Sequence, residues 1–361
     1  MPVSQLYKRG DSGLAIQEFV QRLQGLGLLD KGHSDSFDQA LDDAVRHFQQ
    51  QRGLLVDGIV GPHTIRALDE AHWVLGDRLL TYQVSHLLRG DDIVTLQKRL
   101  TEMGFAPGRI DGIFGRQTFL AVQDFQRNVG LGADGTCGPA TLSALDRLAK
   151  TVQGGAPTAL REQAALSRLG ATPAGRIIVV DAGHGGPDIG LSTGLCELSE
   201  AEIAFDIATR IEGRLTALGA SAFLSRPADL DTELDEQTRA EFANQAGADL
   251  VISIHAESVD NAIANGVATY FYGTPTTHST VGEQLAQLIQ DEIVARTELL
   301  DGRVHDKTWD LLRWTTMPAV RVEIGYLSNP TDAARLGDPG FRDAIADAIV
   351  VGVHRLFTEP A

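Results

Sequence analysis

The stretch IIVVDAGHGGPDIG, residues 177–190, decides how the second half of this chain is read. Ile177, Ile178, Val179 and Val180 are all β-branched and apolar, the pattern of a strand buried on both faces, and the run stops at a histidine set between glycines. Those glycines let the backbone bend sharply and approach a ligand closely, so the strand holds His184 at the edge of a sheet.

Strands and helices alternate onward from that point. Segments 176–183, 220–226, 248–256, 266–273 and 318–325 read as strands, and 201–219, 234–247, 281–297 and 340–357 carry helical spacing. The alternation predicts an α/β domain with a mostly parallel sheet flanked by helices. In such a sheet, sites gather beyond the C-terminal strand ends. His184 follows IIVVDAG, His255 follows LVISI, and Glu323 lies at the end of PAVRV, so three strand ends supply these groups. A further carboxylate comes from CELSEAEIAF, residues 196–205, where Glu197 and Glu200 lie just before or within the first turn of a helix.

Two histidines and a glutamate from separate elements form the ligand set of an open catalytic zinc site, with water in the fourth position. Glu323 is then left over as a base. Each residue also has an ordinary reading. A histidine after a buried strand can be a hydrogen-bonded core residue, and Glu323 shares a strand face with Arg321, a ready ion-pair partner. Glutamates at a helix start suit the positive end of its dipole.

The first 150 residues repeat. AVRHFQQQRGLLVDGIVGPHTIRAL (44–68) aligns without a gap on AVQDFQRNVGLGADGTCGPATLSAL (121–145), and FVQRLQGLG (19–27) meets LQKRLTEMG (96–104) at the same 77-residue offset. Each copy reads as helix, loop, helix, Asp-Gly turn and short helix. Gly58 and Gly135 suit turns that need positive φ, and Pro62 and Pro139 suit the first turn of a helix. Gly154, Gly155, Pro157, Pro173 and Gly175 punctuate a linker over 150–175, with a short helical pattern at 158–169. The predicted domains are 1–76, 82–149 and 176–361.

A formal net charge of −17 argues against a partner held through nucleic-acid phosphates or an anionic membrane surface. No apolar run reaches transmembrane length, and the first residues lack the basic and apolar segments of a signal peptide, which predicts a cytoplasmic protein. Cys137 and Cys196 fall in different predicted domains and read as two incidental thiols.

The repeats resemble the peptidoglycan-binding type 1 module, a three-helix unit, through RIDGIFGRQTFLAVQDFQ and its companion DGTCGPATLSAL. Copy one departs from the pattern, with HSDSFD where copy two has IDGIFG. Residues 176 to about 357 resemble the zinc-dependent N-acetylmuramoyl-L-alanine amidases of the amidase-3 type. The matching blocks are VVDAGHGGPDIG, SEAEIAFDIATRI, LSR, TRAEFANQAGADLVISIHAES and MPAVRVEIGYLSNPTDAARL, in order across the domain.

That resemblance implies Zn2+ held by His184, Glu200 and His255, with Glu323 as the catalytic base, and it selects Glu200 over Glu197. It makes Arg226, Arg239 and Asn244 structural. HAES stands where HANA is usual, and Ala182 where proline is common, but neither change removes a ligand or the base. His305 is the one other histidine expected near substrate. The implied reaction is hydrolysis of the amide joining N-acetylmuramic acid to L-alanine.

Peptidoglycan, muropeptides and lipid-linked precursors are the expected partners. Three readings follow: an amidase reaching the wall by an uncommon route, an amidase acting on muropeptides or precursors in the cytoplasm, or a non-catalytic regulator. The regulator would bind peptidoglycan precursors and control a cell-wall biosynthetic enzyme.

Overall fold

The computed structural model describes residues 6–30, 36–149, 172–228, 233–257, 261–274 and 277–358. His33 and the helical pattern at 158–169 lie outside these. The chain divides into two compact units, Met1–Thr158 and Ala159–Ala361.

The first unit holds the repeat as two groups of three helices: α1 Leu14–Gly25, α2 Gln39–Gln51 and α3 Pro62–Ala71, then α4 Asp91–Glu102, α5 Arg116–Asn128 and α6 Pro139–Ala149. Apolar residues at helical spacing fill each core: Ile16, Phe19, Leu23, Val45 and Phe48 in the first, and Ile93, Leu96, Leu100, Val122 and Phe125 in the second. Pro62 and Pro139 open their helices, and Gly58 and Gly135 take φ values of 73° and 72°, as the turn pattern requires.

A buried glutamine organises each Asp-Gly turn. Gln126 accepts from Gly135 N–H at 2.8 Å and donates to Asp134, the Thr136 carbonyl and Thr141. Gln49 does the same around Gly58, Asp57 and Thr64, and Gln97 around Gly112, Asp111 and Thr118. At the fourth equivalent place the device is gone. Val20 and Leu41, 77 positions before Gln97 and Thr118, are buried apolar residues. Copy one therefore has buried apolar residues at the two positions where copy two has the Gln97 and Thr118 side chains.

The second unit is an α/β sandwich on a mixed seven-stranded sheet. Its strands are β1 Ile177–Ala182, β2 Ser221–Leu224, β3 Leu250–Glu257, β4 Val267–Thr274, β5 Thr277–His278, β6 Asp301–Lys307 and β7 Ala319–Tyr326. The order is β2-β1-β3-β7-β4-β5, with β6 also on β4. The pairs β1–β2, β1–β3, β3–β7 and β4–β6 are parallel, while β4 runs antiparallel to β7 and β5. The parallel core matches the expectation. Strand β6 went unread in the sequence, because its exposed, charged residues lack an apolar run.

Alternation divides each strand between two faces. Val180, Ile252, Ile254, Val320, Val322 and Ile324 pack against α7 Glu200–Ala217, α9 Thr280–Arg296 and α12 Pro339–Thr358. Asp181, Ser253, His255, Arg321 and Glu323 fall on the opposite parity and point to the other face. There α8 Glu236–Ala246 and α10 Asp310–Trp314 lie, and α11 Pro330–Gly337 follows β7.

Asp181 is fully buried and accepts from Arg239 at 2.8 Å, Ser225 at 2.5 Å and Ser253 at 2.5 Å. Burial alone would raise its pKa. The Arg239 charge and the two hydroxyls outweigh burial and hold the carboxyl below its ordinary range.

Candidate metal centre and catalytic site

The loop leaving β1 carries His184 at φ 60°, a left-handed conformation uncommon outside glycine. Its neighbours make the placement possible. A Cβ on Gly183 would lie 2.3 Å from the His255 ring, and one on Gly190 would lie 2.7 Å from Glu200 Oε2. These glycines thus admit the two histidines and the glutamate into one small volume.

Glu200 begins α7 behind the N-cap Ser199, which forms a capping box with Glu202. The Glu200 side chain turns inward and is buried, whereas Glu197 is exposed. His184 Nε2 and His255 Nδ1 each lie 3.0 Å from Glu200 Oε1. Ala256 N–H donates to the same oxygen at 3.1 Å, and Leu191 N–H to Oε2 at 3.2 Å. The geometry brings Glu200, not Glu197, to the histidines.

One ligating atom from each of His184, Glu200 and His255 lies within 4.8 Å of the others, and the three could hold a metal ion. Tetrahedral coordination at roughly 2.1 Å sets donors about 3.4 Å apart, close to the 3.0 Å seen here. Asp188, missed in the sequence although it stands four residues after His184, accepts from His184 Nδ1–H at 2.7 Å. That bond fixes the ring with Nε2 facing Glu200, and against burial, which lowers it, the two carboxylates raise the His184 pKa.

His255 is held neutral. Burial, then the nearby Arg321 charge, lower its pKa to about 4, and its buried Nε2 has no hydrogen-bond partner among the described residues. Burial would raise the Glu200 pKa, but its bonds to both histidines drive it well below the carboxylate range. A neutral imidazole, an oriented imidazole and an ionised carboxylate suit a borderline cation such as zinc.

Glu323 lies on β7 opposite His255 in the β3–β7 register. It is not at the strand end as read from the sequence, because β7 continues to Tyr326. Its Oε1 accepts from Arg321 Nε at 2.7 Å, while Oε2 is buried without a hydrogen-bond partner among the described residues. Burial pushes its carboxyl up to about 7 against the opposing Arg321 charge.

The remaining expected residues take structural places. Buried Arg226 donates to the carbonyls of Ala182, Gly183 and Ala201, holding the loop around His184. Asn244 bonds the Trp314 carbonyl and Thr316. His305 is exposed on β6, its ring 5.7 Å from that of Tyr270. Cys137 and Cys196 are free thiols.

Residues 178–355 match the N-acetylmuramoyl-L-alanine amidase family model, and residues 12–68 and 89–145 each match a peptidoglycan-binding domain. The chain is 46% identical to N-acetylmuramoyl-L-alanine amidase CwlM of Mycobacterium tuberculosis, across 96% of this chain and 88% of that one. It belongs to the N-acetylmuramoyl-L-alanine amidase family.

The germination-specific N-acetylmuramoyl-L-alanine amidase of Bacillus subtilis is 32% identical to this amidase, over 51% of this chain and 81% of the other. The crystal structure of an N-acetylmuramoyl-L-alanine amidase from Clostridium difficile 630 aligns with a TM-score of 0.48 at 27% identity, covering 52% of this chain and 99% of that one. No helix among the amidase's described residues is long and apolar enough to cross a membrane.

Proposed function

We propose that this chain hydrolyses the amide between N-acetylmuramic acid and L-alanine of peptidoglycan or its muropeptides, with zinc held by His184, Glu200 and His255. The convergence of two imidazoles and a carboxylate beside a buried glutamate with one unengaged oxygen carries this reading. A bound zinc ion supplies Lewis acidity, polarising the scissile carbonyl and making water more acidic.

The protein's own groups do the rest. Glu323 Oε2 takes a proton from the attacking water as its oxygen bonds to the carbonyl carbon. It returns that proton to the alanine nitrogen as the C–N bond breaks. Asp188 fixes the His184 ring, and the Ala256 and Leu191 amides fix Glu200. The two N-terminal modules bind wall glycan or muropeptide, and 1–76, 82–149 and 176–361 are the functional divisions.

The test is cleavage of a muramyl peptide by the purified full chain, with zinc measured and chelator as control. Glu323→Gln is expected to keep zinc and lose roughly 10²- to 10⁴-fold in rate. Equal turnover by mutant and wild type refutes the assigned base, and a zinc-loaded wild type without cleavage refutes the hydrolase.

A further inference from the structure

We propose that Arg321 is the positioning residue for Glu323: clamped between Glu236 and the face of Trp309, its guanidinium fixes Oε1 and leaves Oε2 as the oxygen that takes the proton. The proposal rests on Glu323 being the base assigned above.

Arg321 and Glu323 are two residues apart on β7, so both side chains leave the same sheet face. A glutamate in that place has three side-chain torsions to fix, and a proton acceptor works only within hydrogen-bond reach of its water. Arg321 removes the freedom. Its Nε donates to Glu323 Oε1 at 2.7 Å and its Nη1 to Glu236 Oε1 at 2.9 Å, while its Cζ lies 4.4 Å from the Trp309 ring centroid.

The clamp is itself anchored. Glu236 Oε2 accepts from Leu311 N–H at 3.0 Å, and the Trp309 ring lies 4.7 Å from that of Tyr270 on β4. Tyr270 is paired in register with Arg321. Four elements thus converge on one guanidinium: β4, β7, the start of α8 and the N-cap of α10.

An isolated surface ion pair contributes little and leaves its carboxylate mobile. Here the arginine is spread over two carboxylates and an indole face, a planar fork that lysine cannot reproduce. The unengaged Oε2, buried without a partner among the described residues, is the oxygen this hold leaves for water.

The experiment compares full-length wild type with Arg321→Leu, Arg321→Lys and Glu236→Gln. It measures bound zinc, kcat and KM on a muramyl peptide, and crystal structures of wild type and Arg321→Leu. Arg321→Leu is expected to keep zinc and KM within twofold, to lose roughly 10²-fold in kcat, and to show the Glu323 carboxylate turned from its wild-type position. Arg321→Lys should recover part of kcat.

Should Arg321→Leu fail to fold, Glu236→Gln carries the test, with a several-fold kcat loss at unchanged KM and zinc. Unaltered kcat in the folded variants overturns the proposal, and so does an unmoved Glu323 carboxylate in Arg321→Leu. The crystallographic result needs no turnover. A zinc-bound but inactive wild type therefore refutes the hydrolase, while the position of Glu323 still decides the role of Arg321.

Discussion

Asp188 and Glu323 show at the scale of single residues how a carboxylate acts through its surroundings. Asp188 spends one oxygen on His184 Nδ1–H and the other on Gly190 N–H, so it locks both the ring and the loop that presents it. Outer carboxylates of this kind typically change metal affinity by 10- to 100-fold. Asp188→Ala is expected to weaken zinc by roughly that factor, read by competition against a chelating dye. Unchanged affinity would contradict the role.

For Glu323 the sign is fixed by chemistry. In the proposed role of base Glu323 must be ionised to take a proton, and burial has moved its carboxyl up to about 7. Rate is therefore present above that pH and lost on acidification with one-proton dependence, while a cation at the histidines pulls the midpoint downward. A kcat/KM profile at saturating zinc checks this, and a rate that rises on acidification would contradict it.

At the scale of elements, the glutamine clamps explain why the repeated Asp-Gly pattern is so regular. Gln126 satisfies the Gly135 amide and the Asp134 carboxylate at once, coupling the end of α5 to the turn before α6. Gln126→Leu leaves buried polar groups unpaired, and each such group costs about 1–3 kcal/mol. The expected result is a lower urea midpoint for the N-terminal unit with an unchanged slope, and an unchanged midpoint would refute the clamp. The same elements separate fold from ligand. The Asp, Gly, Gln and Thr residues that mark the module in sequence are engaged in holding its turns, so their recurrence reports the fold first.

At the scale of the whole molecule, the three proposed metal ligands all lie in the second unit, on β3, the start of α7 and the loop after β1. Zinc at 100 times its dissociation constant should stabilise that unit by about 2.7 kcal/mol. Calorimetry should show its transition rising with zinc and falling with chelator, while the N-terminal modules unfold unchanged. A shift confined to the modules would contradict the placement.

Much of this was legible in the sequence, because local physics writes it there. Apolar runs that stop at His184 and His255 mark strands feeding a site, and a 77-residue offset marks a duplicated helical module. Residue spacing alone left Glu197 and Glu200 as equals, and only the resemblance preferred one. Folding separates them physically, by turning Glu200 inward beneath two histidines and leaving Glu197 in solvent.

Strand parity put Arg321 beside Glu323, so their ion pair was readable in advance. The clamp around it was not. Glu236 and Trp309 lie 85 and 12 residues before Arg321 and carry no local pattern that points to it. The antiparallel entry of β4 and the edge strand β6 were equally hidden, since backbone pairing between distant segments leaves no mark on either segment alone. Sequence determined which groups are carried by which elements. Tertiary structure decided which of them share a site and how each carboxylate is held, because those contacts depend on where separate elements close on one another.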